Sequence, residues 1–504
     1  MEPADHDCPW RAEALALRKV VAEQGQVIVE YGQKLDAVLA QMQALERRVL
    51  GPKSEKMPPP ARELRRDESD EDAEARRLAA LERRRERAAL KQKLREWTVT
   101  HHVTDEDAAC PKCGGVADRK LGAGKDTNLY EYVPGYFVKQ KHVQEKRACA
   151  CGEYIATAEP APRPFEKGHY GPGFIAHLCV MKCSDSIPLH RLAKQYQRLG
   201  IPMARSTLTD LFHAAAEKLS PLSERLTALV AQHDVVQADE TSMKMQEPNK
   251  RGFVWTFVAG DLIAYRFAAD RSGDTPLQVL GGTDGTLVVD GYTGYNRVTD
   301  VDGRTRAGCL AHVRRKFFDA LGSAPVEARR AMDLILEVYR VEHEAKARRI
   351  VRTPEHLALR QTRSREAMDA FNAWLLDELP KHAPKTPLGE ALRYATNQWN
   401  NLTHFIDDAN IPVDNNASER ALRVVALGRK NFLFLFDEEH GKNLAGLYSL
   451  VATCDAVGID PVEYLKDVIM RVDTHPASLI DDLLPHKWSP PIRIEISQEP
   501  SERP

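Results

Sequence analysis

Apolar residues near the N-terminus recur at alternating spacings of four and three residues, interrupted only at Gln24. Such a seam, sustained over more than four heptads, is typical of a coiled coil and indicates self-association as a homodimer or a larger assembly. We therefore predict a leucine zipper-like dimerisation helix over residues 1–50. A single helix packed against its own chain is the alternative. The seam consists of Leu17, Val21, Ile28, Tyr31, Leu35, Val38, Met42, Leu45 and Val49.

Prolines end this pattern, because a proline cannot continue a helix. They occur in Gly51-Pro52 and in Pro58-Pro59-Pro60. The rest of residues 51–100 carries an acidic block from Asp67 to Glu74 and then a basic run with interspersed leucines. We predict a solvated charged linker or basic helix here. A segment that lies along DNA phosphates is the alternative.

Helical spacing returns in residues 166–230, where helices are predicted over 174–183, over 188–199 and from 205 onwards. Gly200-Ile201-Pro202 forces a turn before the third helix, and this order predicts a helix-turn-helix DNA-binding region. A plain three-helix bundle has similar spacing. Cys179 and Cys183 are interpreted as core residues of the first helix. The candidates for DNA contact are Arg191, Lys194, Arg198 and Arg205.

Short apolar runs bounded by glycine or acidic residues predict five strands in the second half of the chain. Three cover 235–238, 252–260 and 262–269, a fourth ends at Asp290, and a fifth begins at Thr305 and runs into a basic helix start. Anions are favoured at helix starts. Arg314, Arg315 and Lys316 are therefore candidates for DNA contact, and His312 either positions a water or phosphate or is a structural histidine.

The 128 residues between Asp290 and Glu419 are too many for a simple connection. Their helical composition from about 320 to 410, with Leu334, Val338 and Val341 on one face, predicts an inserted helical subdomain. Together these patterns predict an α+β multidomain chain. A mixed α/β domain with this insertion covers 231–448, and a C-terminal helical region with a polar tail covers 449–504.

Composition narrows the function classes. A length of 504 residues suggests about three domains. The net charge of −2 leaves room for segregated basic and acidic patches. No run of eighteen apolar residues and no secretion signal occurs, so we predict a cytoplasmic protein without membrane contact. Nine cysteines in a reducing compartment then indicate metal binding rather than disulfides.

Four of those cysteines form two close pairs: Cys110 with Cys113, and Cys149 with Cys151. Each pair lies beside a glycine, and four thiolates in this arrangement suit a tetrahedral structural Zn²⁺. The stretches 130–138 and 139–143 between the pairs alternate like β-strands. Residues 101–165 are therefore predicted to form a zinc ribbon-like unit.

Three acidic residues lie where strands or a helix could bring them together: Asp239 and Asp290 at strand ends, and Glu419 in a predicted helix. Phosphoryl transfer on a nucleic acid needs such a set, because two Mg²⁺ ions can stabilise the attacking and leaving oxygens. Mg²⁺ takes one or two carboxylates per ion. The alternative is that each aspartate merely ends a strand and Glu419 merely belongs to a helix.

A series of motifs occurs in one order along most of the chain. In these motifs the chain resembles the DDE-class transposases of bacterial insertion sequences, and most closely the insertion sequence 66 family. The zipper-like start and the cysteine unit match in the same order. The motifs are Lys53-Ser54-Glu55-Lys56, Gln237-Ala238-Asp239-Glu240-Thr241, Val289-Asp290-Gly291-Tyr292, Gly294-Tyr295-Asn296, the segment 307–317, Asp414-Asn415-Asn416-Ala417-Ser418-Glu419-Arg420, Ala426-Leu427-Gly428-Arg429-Lys430-Asn431, and the ending from Ser449 through Leu483-Leu484-Pro485-His486-Lys487-Trp488.

The resemblance implies an RNase H-like catalytic core in which Asp239, Asp290 and Glu419 bind two Mg²⁺, or Mn²⁺, ions. It implies that the zinc unit and the helix-turn-helix recognise the terminal inverted repeats of the element, and that the zipper pairs two protomers. It also implies a bacterial, nucleoid-associated location and accessory proteins of the same element as partners. Arg420, Arg423, Arg429 and Lys430 would hold phosphates, and Asn415 and Asn416 would cap the helix or orient Glu419.

Two other functions remain open from the sequence. An RNase H-like nuclease would use the same carboxylates to hydrolyse nucleic acid without joining strands. An inactive or host-adopted copy would act as a DNA-binding protein and would not need the acidic residues.

Overall fold

A computed structural model describes residues 161–166, 168–246, 250–299 and 303–490, together with 70–92, 135, 137–148, 155–157 and positions 13, 16–21, 24–26 and 42. The chain divides into two compact units, Met1–Leu64 with Lys141–Pro504, and Arg65–Gln140. The seam predicted to form a coiled coil lies mostly outside the described residues. Those of its positions that are described are helical and exposed, so self-association stays a prediction.

The charged segment forms one long helix, α1, from Asp70 to Gln92. Those of its side chains that the structure describes are all exposed, including Leu78 and Leu81. The stretch is thus a helix with exposed side chains, and its role as a solvated linker or as a phosphate-binding segment stays a prediction.

A small hairpin lies within the region predicted to bind zinc. Strand β1 (Lys146–Ala148) pairs antiparallel with β2 (Ile155–Thr157). The strand predicted over 139–143 is wrong, because these residues form no strand. Alternation stabilises a strand only when one of its faces is buried, and Val143 is 78% exposed. Cys110, Cys113, Cys149 and Cys151 lie outside the described residues.

Four helices precede the main sheet: α2 (Pro172–Cys183), α3 (Leu189–Arg198), α4 (Arg205–Lys218) and α5 (Ser220–Ala231). The three predicted helices are thus confirmed. Gly200 adopts a φ of +88° between α3 and α4, a conformation that glycine accepts without strain. Cys179 and Cys183 are fully buried, as their interpretation as core residues requires.

Strands form at all five predicted places, and they make one mixed sheet: β3 (Val235–Lys244), β4 (Arg251–Ala259), β5 (Leu262–Ala268), β6 (Thr286–Val288) and β7 (Thr305–Ala307). The predicted end of the first strand at Asp239 is wrong, because β3 stays paired with β4 as far as Lys244. Their spatial order is β5-β4-β3-β6-β7. Strand β4 pairs antiparallel with β3 and with β5, whereas β6 joins β3 in parallel and β7 joins β6 in parallel. Strand β6 is buried throughout, as expected for a parallel strand inside a layered fold. Helices α6 (Asp274–Leu280) and α7 (Asn296–Thr299) connect these strands.

The predicted helical insertion is also confirmed. Helix α8 (Leu310–Ala320) follows β7 directly. The helices after it are α9 (Pro325–Ala347), α10 (Pro354–Leu359), α11 (Arg365–Glu378), α12 (Pro387–Asn397) and α13 (Trp399–Thr403), with a π-helical turn at Arg360–Ser364. Leu334, Val338 and Val341 are buried, and the core of the insertion is continuous with Val288 of β6 and Ala307 of β7.

Three longer helices complete the described part of the chain: α14 (Asn416–Phe432), α15 (Glu438–Val457) and α16 (Pro461–Arg471). Helix α15 covers the edge strand β5. The backbone N–H of Tyr265 donates to the Ser449 hydroxyl at 2.8 Å, and that of Ile263 donates to the Thr453 hydroxyl at 3.1 Å. Covering an edge in this way prevents pairing with another chain. Every helix within the described residues is too short or too polar to cross a bilayer.

Candidate active site

Two of the predicted acidic residues occupy corresponding positions on neighbouring strands. The parallel register pairs Gln237 of β3 with Val288 of β6. Asp239 and Asp290 each lie two residues further along, so continuing the register sets them opposite each other. Residues two apart on a strand point to the same face, and neighbouring strands lie about 4.8 Å apart. The fold therefore brings these two carboxylates, both partly buried, to one place.

Backbone hydrogen bonds orient both aspartates. Asp239 Oδ1 accepts from the N–H of Glu240, and Asp290 Oδ1 accepts from the N–H of Tyr292, each at 2.9 Å. The turn after β6 is further held by Arg306, whose Nη2 donates to the carbonyls of Asp290 at 2.6 Å and Tyr292 at 2.8 Å. Arg306 was not among the predicted site residues.

Glu419 comes from the first turn of α14, and the start of this helix is bound to β3. Asn415, which is fully buried, donates from Nδ2 to the carbonyl of Ala238 at 2.7 Å. The N–H of Ala417 donates to Gln237 Oε1 at 3.3 Å. Because Ala238 directly precedes Asp239, these two links set the position of Glu419 relative to Asp239.

Asn415 is the N-cap residue of α14, but its side chain makes no capping bond. It is the side chain of Asp414 that accepts from the backbone N–H of Asn416 at 3.2 Å and from its Nδ2 at 2.6 Å. The hydroxyl of Tyr339, from the insertion, also donates to Asp414 at 3.1 Å. An Asp-Asn-Asn run is a sequence signal for such local bonding. The orienting role predicted for Asn415 agrees with its bond to β3.

Two basic side chains of α8 approach the Glu419 carboxylate. Nδ1 of His312 lies 3.8 Å from Oε1, and Nη2 of Arg315 lies 3.7 Å from Oε2. Both contacts are longer than a hydrogen bond. Within the described residues Glu419 Oε1 is buried and has no hydrogen-bond partner. Glu419 therefore retains an unsatisfied buried oxygen that a cation could bind.

The electrostatics of Asp239 link the three acids. Burial and the nearby charges of Glu240, Asp290 and Glu419 raise the pKa of Asp239 to about 8, although the N–H of Glu240 opposes the shift. Carboxylates crowd together in this way where a divalent cation is to be bound. In the described part of the chain no three His, Cys, Asp or Glu side chains form a ready-made metal cluster. Mg²⁺ keeps most of its shell as water and substrate oxygens, so the donor set fits a hard cation.

Most of the predicted DNA-contacting residues lie at the surface. Arg429 is partly buried, and its Nη1 donates to Thr241 Oγ1 at 2.7 Å and to the carbonyl of Ser242 at 3.0 Å. Arg314 is fully buried, so a contact with DNA phosphate does not fit its position. It lies on the inward face of α8. The exposed residues are Arg191, Lys194, Arg198, Arg205, Arg315, Lys316, Arg420, Arg423 and Lys430.

A mixed sheet with carboxylates at corresponding positions of neighbouring strands, beside helices that carry exposed arginines, is typical of metal-dependent enzymes that act on phosphodiesters. Comparison with protein families identifies the class of this protein as the transposases. Residues 167–443 match the model described as the transposase IS66 family, 449–486 match the IS66 C-terminal element, and 107–152 match the zinc-finger binding domain of transposase IS66. The first match spans more than half of the chain, and the chain belongs to the IS66 family of transposases. The resemblance found in the sequence is thus confirmed, and the zinc-finger match contains all four paired cysteines.

Relatives occur in Sinorhizobium fredii. The chain is 30% identical to protein y4hP over 420 residues, which covers 77% of this chain and 74% of y4hP. It is 31% identical to protein y4jD over 411 residues, covering 77% of this chain and 79% of y4jD. Both relatives are named as uncharacterized proteins, so the role of the individual residues has to be argued from this chain.

Proposed function

We propose that this transposase binds the terminal inverted repeats of an insertion sequence and catalyses Mg²⁺-dependent DNA strand cleavage and strand transfer. The observation that carries the proposal is the placement of Asp239 and Asp290 at corresponding positions of adjacent parallel strands, with the helix of Glu419 bound to the same strand. In this proposal the mixed sheet is an RNase H-like catalytic core.

Asp239, Asp290 and Glu419 would hold the divalent metal, Mg²⁺ or Mn²⁺. When bound, such ions activate the nucleophile and stabilise the charge that develops on the attacking and leaving oxygens. The protein supplies orientation: the N–H groups of Glu240 and Tyr292 fix the two aspartates, and the Asn415 bond to β3 fixes the helix of Glu419. Arg315 partly balances the charge of Glu419, and the His312 ring lies beside the same carboxylate.

The exposed basic residues would bind DNA phosphates and thereby set the position of the strand. Arg315 and Lys316 on α8 and Arg420, Arg423 and Lys430 on α14 would act near the acids, whereas Arg191, Lys194, Arg198 and Arg205 would act from the predicted helix-turn-helix. Arg429, already bonded to β3, would contribute charge from a partly buried position.

The remaining modules would assemble the complex. The zinc unit, with a structural Zn²⁺ on Cys110, Cys113, Cys149 and Cys151, would recognise the element ends together with the helix-turn-helix. The N-terminal coiled coil would hold two protomers, and hence two ends, together. Accessory proteins of the same element and an association with the bacterial nucleoid belong to the same proposal.

The test is a strand-joining assay with purified full-length protein, the element's own ends, a target plasmid and Mg²⁺. Asp239→Asn, Asp290→Asn and Glu419→Gln are each expected to abolish joining while DNA binding persists. The matched control is Asp261→Asn, an exposed aspartate in the turn between β4 and β5, which is expected to join like the wild type. Cutting without joining would favour a nuclease. Joining that survives the three substitutions would refute the assignment of the acids.

A further inference from the structure

Arg271 lies between β5 and α6, and its position calls for an explanation beyond ordinary ion pairing. Its Nε and Nη2 both donate to Glu240 Oε1, at 2.8 Å and 2.5 Å. Glu240 is the residue after Asp239, and its side chain is only 2% exposed, whereas that of Arg271 is 47% exposed. A half-exposed guanidinium is thus held rigidly beside the acidic site.

The aromatic ring of Tyr292 forms a platform for this guanidinium. The Arg271 Cζ lies 4.1 Å from the ring centroid, and the Tyr292 hydroxyl donates to the Arg271 carbonyl. Since the N–H of the same tyrosine donates to Asp290 Oδ1, one residue connects Arg271 to the second acid. Arginine stacked on an aromatic face is pre-organised for planar hydrogen bonding.

Two glycines allow the segments of Arg271 and Tyr292 to approach this closely. A Cβ atom on Gly294 would lie 2.2 Å from the Tyr292 ring, and one on Gly273 would lie 2.4 Å from the carbonyl oxygen of Gly294. Both distances are shorter than real Cβ contacts. At Gly273 the obstacle is backbone, so that position requires glycine, whereas a side chain at position 294 would displace the Tyr292 ring. The arrangement of Arg271 is therefore built into the backbone of both turns.

Neutralising Glu240 is not enough to explain these features. Both Arg271 donors go to Glu240 Oε1, while Oε2 accepts from the Tyr295 hydroxyl at 2.6 Å, so the ion pair uses only one edge of the guanidinium. Arg360 shows what a structural arginine looks like in this protein. It is 1% exposed, and all of its guanidinium nitrogens donate, to Glu342 and to three carbonyls. Arg271, by contrast, is half exposed, and its Nη1 has no hydrogen-bond partner in the described part of the chain.

We propose that Arg271 binds a phosphate of the DNA strand on which the acidic site acts, with Glu240 and Tyr292 holding its guanidinium in place. The ligand is a phosphodiester oxygen, which accepts from the outward edge of the guanidinium. Strand β3 presents Asp239 and Glu240 to opposite faces. Arg271 is secured by Glu240, and Tyr292, which stacks on Arg271 and donates to Asp290, links it to the acids. This inference rests on the proposed function, because it needs DNA at the acidic site.

Salt-titrated DNA binding tests the inference. Binding of end-sequence DNA to the full-length protein is measured in EDTA, so that no chemistry occurs. Each phosphate contact contributes about 0.9 to the slope of log K against log salt. Arg271→Gln is expected to make the slope shallower by about that amount, whereas Arg271→Lys, which keeps the charge, is expected to retain the slope. The matched control is Arg365→Gln, because Arg365 is 44% exposed and pairs with one carboxylate, that of Asp407; its slope is expected to stay unchanged.

Neutral methylphosphonates placed singly around the cleavage point locate the contact. A methylphosphonate at one of these positions is expected to weaken DNA binding by the wild type but to leave DNA binding by Arg271→Gln unaffected. The double variant Arg271→Gln with Glu240→Gln, which leaves no unpaired buried charge, is expected to give the same result and guards against misfolding.

The two proposals fail in different ways. If the wild type binds DNA, but Arg271→Gln keeps both its slope and its sensitivity at every position, the inference is overturned while the proposed function stands. If the wild type shows no salt-dependent binding to the ends, the proposed function fails first.

Discussion

Mg²⁺ binding to the acidic site is expected to depend steeply on pH, because the pKa of Asp239 is raised to about 8 in the metal-free protein. A carboxyl group must lose its proton to bind a metal. With this pKa, roughly a hundredth of Asp239 is ionised at pH 6, about a tenth at pH 7 and about half at pH 8. The apparent affinity for Mg²⁺ is therefore expected to rise about fivefold from pH 7 to pH 8 and less than about twofold from pH 8 to pH 9.

The sign of the effect on stability follows from the same shift. Between the ordinary carboxyl pKa and the raised pKa of Asp239 in the folded protein, the folded protein keeps a proton on Asp239 that the unfolded chain has lost. Metal-free stability is then expected to fall as pH rises from about 4 to about 8. Mg²⁺ binds the ionised form and offsets this loss. Its stabilising effect is expected to be small at pH 6 and to approach its maximum above pH 8.

The assay is the melting temperature with and without Mg²⁺ at pH 6, 7, 8 and 9. Asp239→Asn is expected to show a smaller shift that does not change with pH. Asp290→Asn removes one of the neighbouring charges and is expected to move the rise to lower pH, although burial and Glu240 still act on Asp239. An Mg²⁺ shift of equal size at pH 6 and pH 8 in the wild type would refute the reasoning.

Three further outcomes are expected. Asn415→Ala removes a buried hydrogen bond to β3 worth about 1–3 kcal/mol. This variant should melt a few degrees lower and lose more strand joining than DNA binding. Full joining activity would contradict the proposed link. Arg360→Met removes the buried guanidinium that donates to Glu342 and to three carbonyls. The melting temperature should therefore fall by on the order of 10 °C, whereas Arg363→Gln, at an exposed ion pair, should change it little. Hydrogen bonds from Arg225 are the chief cause that lowers the pKa of the Asp481 carboxyl to about 2. The stability that this pair contributes is present above the unfolded pKa of Asp481 and is lost as pH falls through about 2. Arg225→Gln should therefore destabilise the protein by about 1 kcal/mol at neutral pH, as for a partly exposed pair, and by less in melts at lower pH.

The sequence predicts the strands and helices of this fold well, because short apolar runs end at glycines and acids and the helices carry one apolar face. It does not predict the contacts that join them. The bond from Asn415 to the carbonyl of Ala238 spans 177 positions of sequence, and local patterns carry no information over that distance. The 139–143 stretch shows the opposite error. Its alternation is regular, but a strand also needs a partner and a buried face, and Val143 lacks the latter.

The acidic pair at 239 and 240 illustrates why adjacency in sequence misleads about chemistry. Both residues are carboxylates in the middle of β3, and alternation sends them to opposite faces. Asp239 joins the acids of the site, while Glu240 pairs with Arg271 and Tyr295. The sequence could have suggested this division of roles. Only the register of β3 with β6, however, determines which of the two carboxylates lies next to Asp290.

The helical insertion holds the segment of chain that leads into α14, the helix of Glu419. From within the insertion, Arg360 donates to the carbonyls of Phe405, Asp408 and Ile411 at 2.8–2.9 Å. The next residues of the chain lead into Asp414, which accepts from Tyr339 of α9 and bonds the first residue of α14. The insertion therefore fixes the entry to the helix that carries Glu419. The start of that helix is also bonded to β3 through Asn415. Contacts from both the sheet and the insertion therefore determine how Glu419 meets the two aspartates.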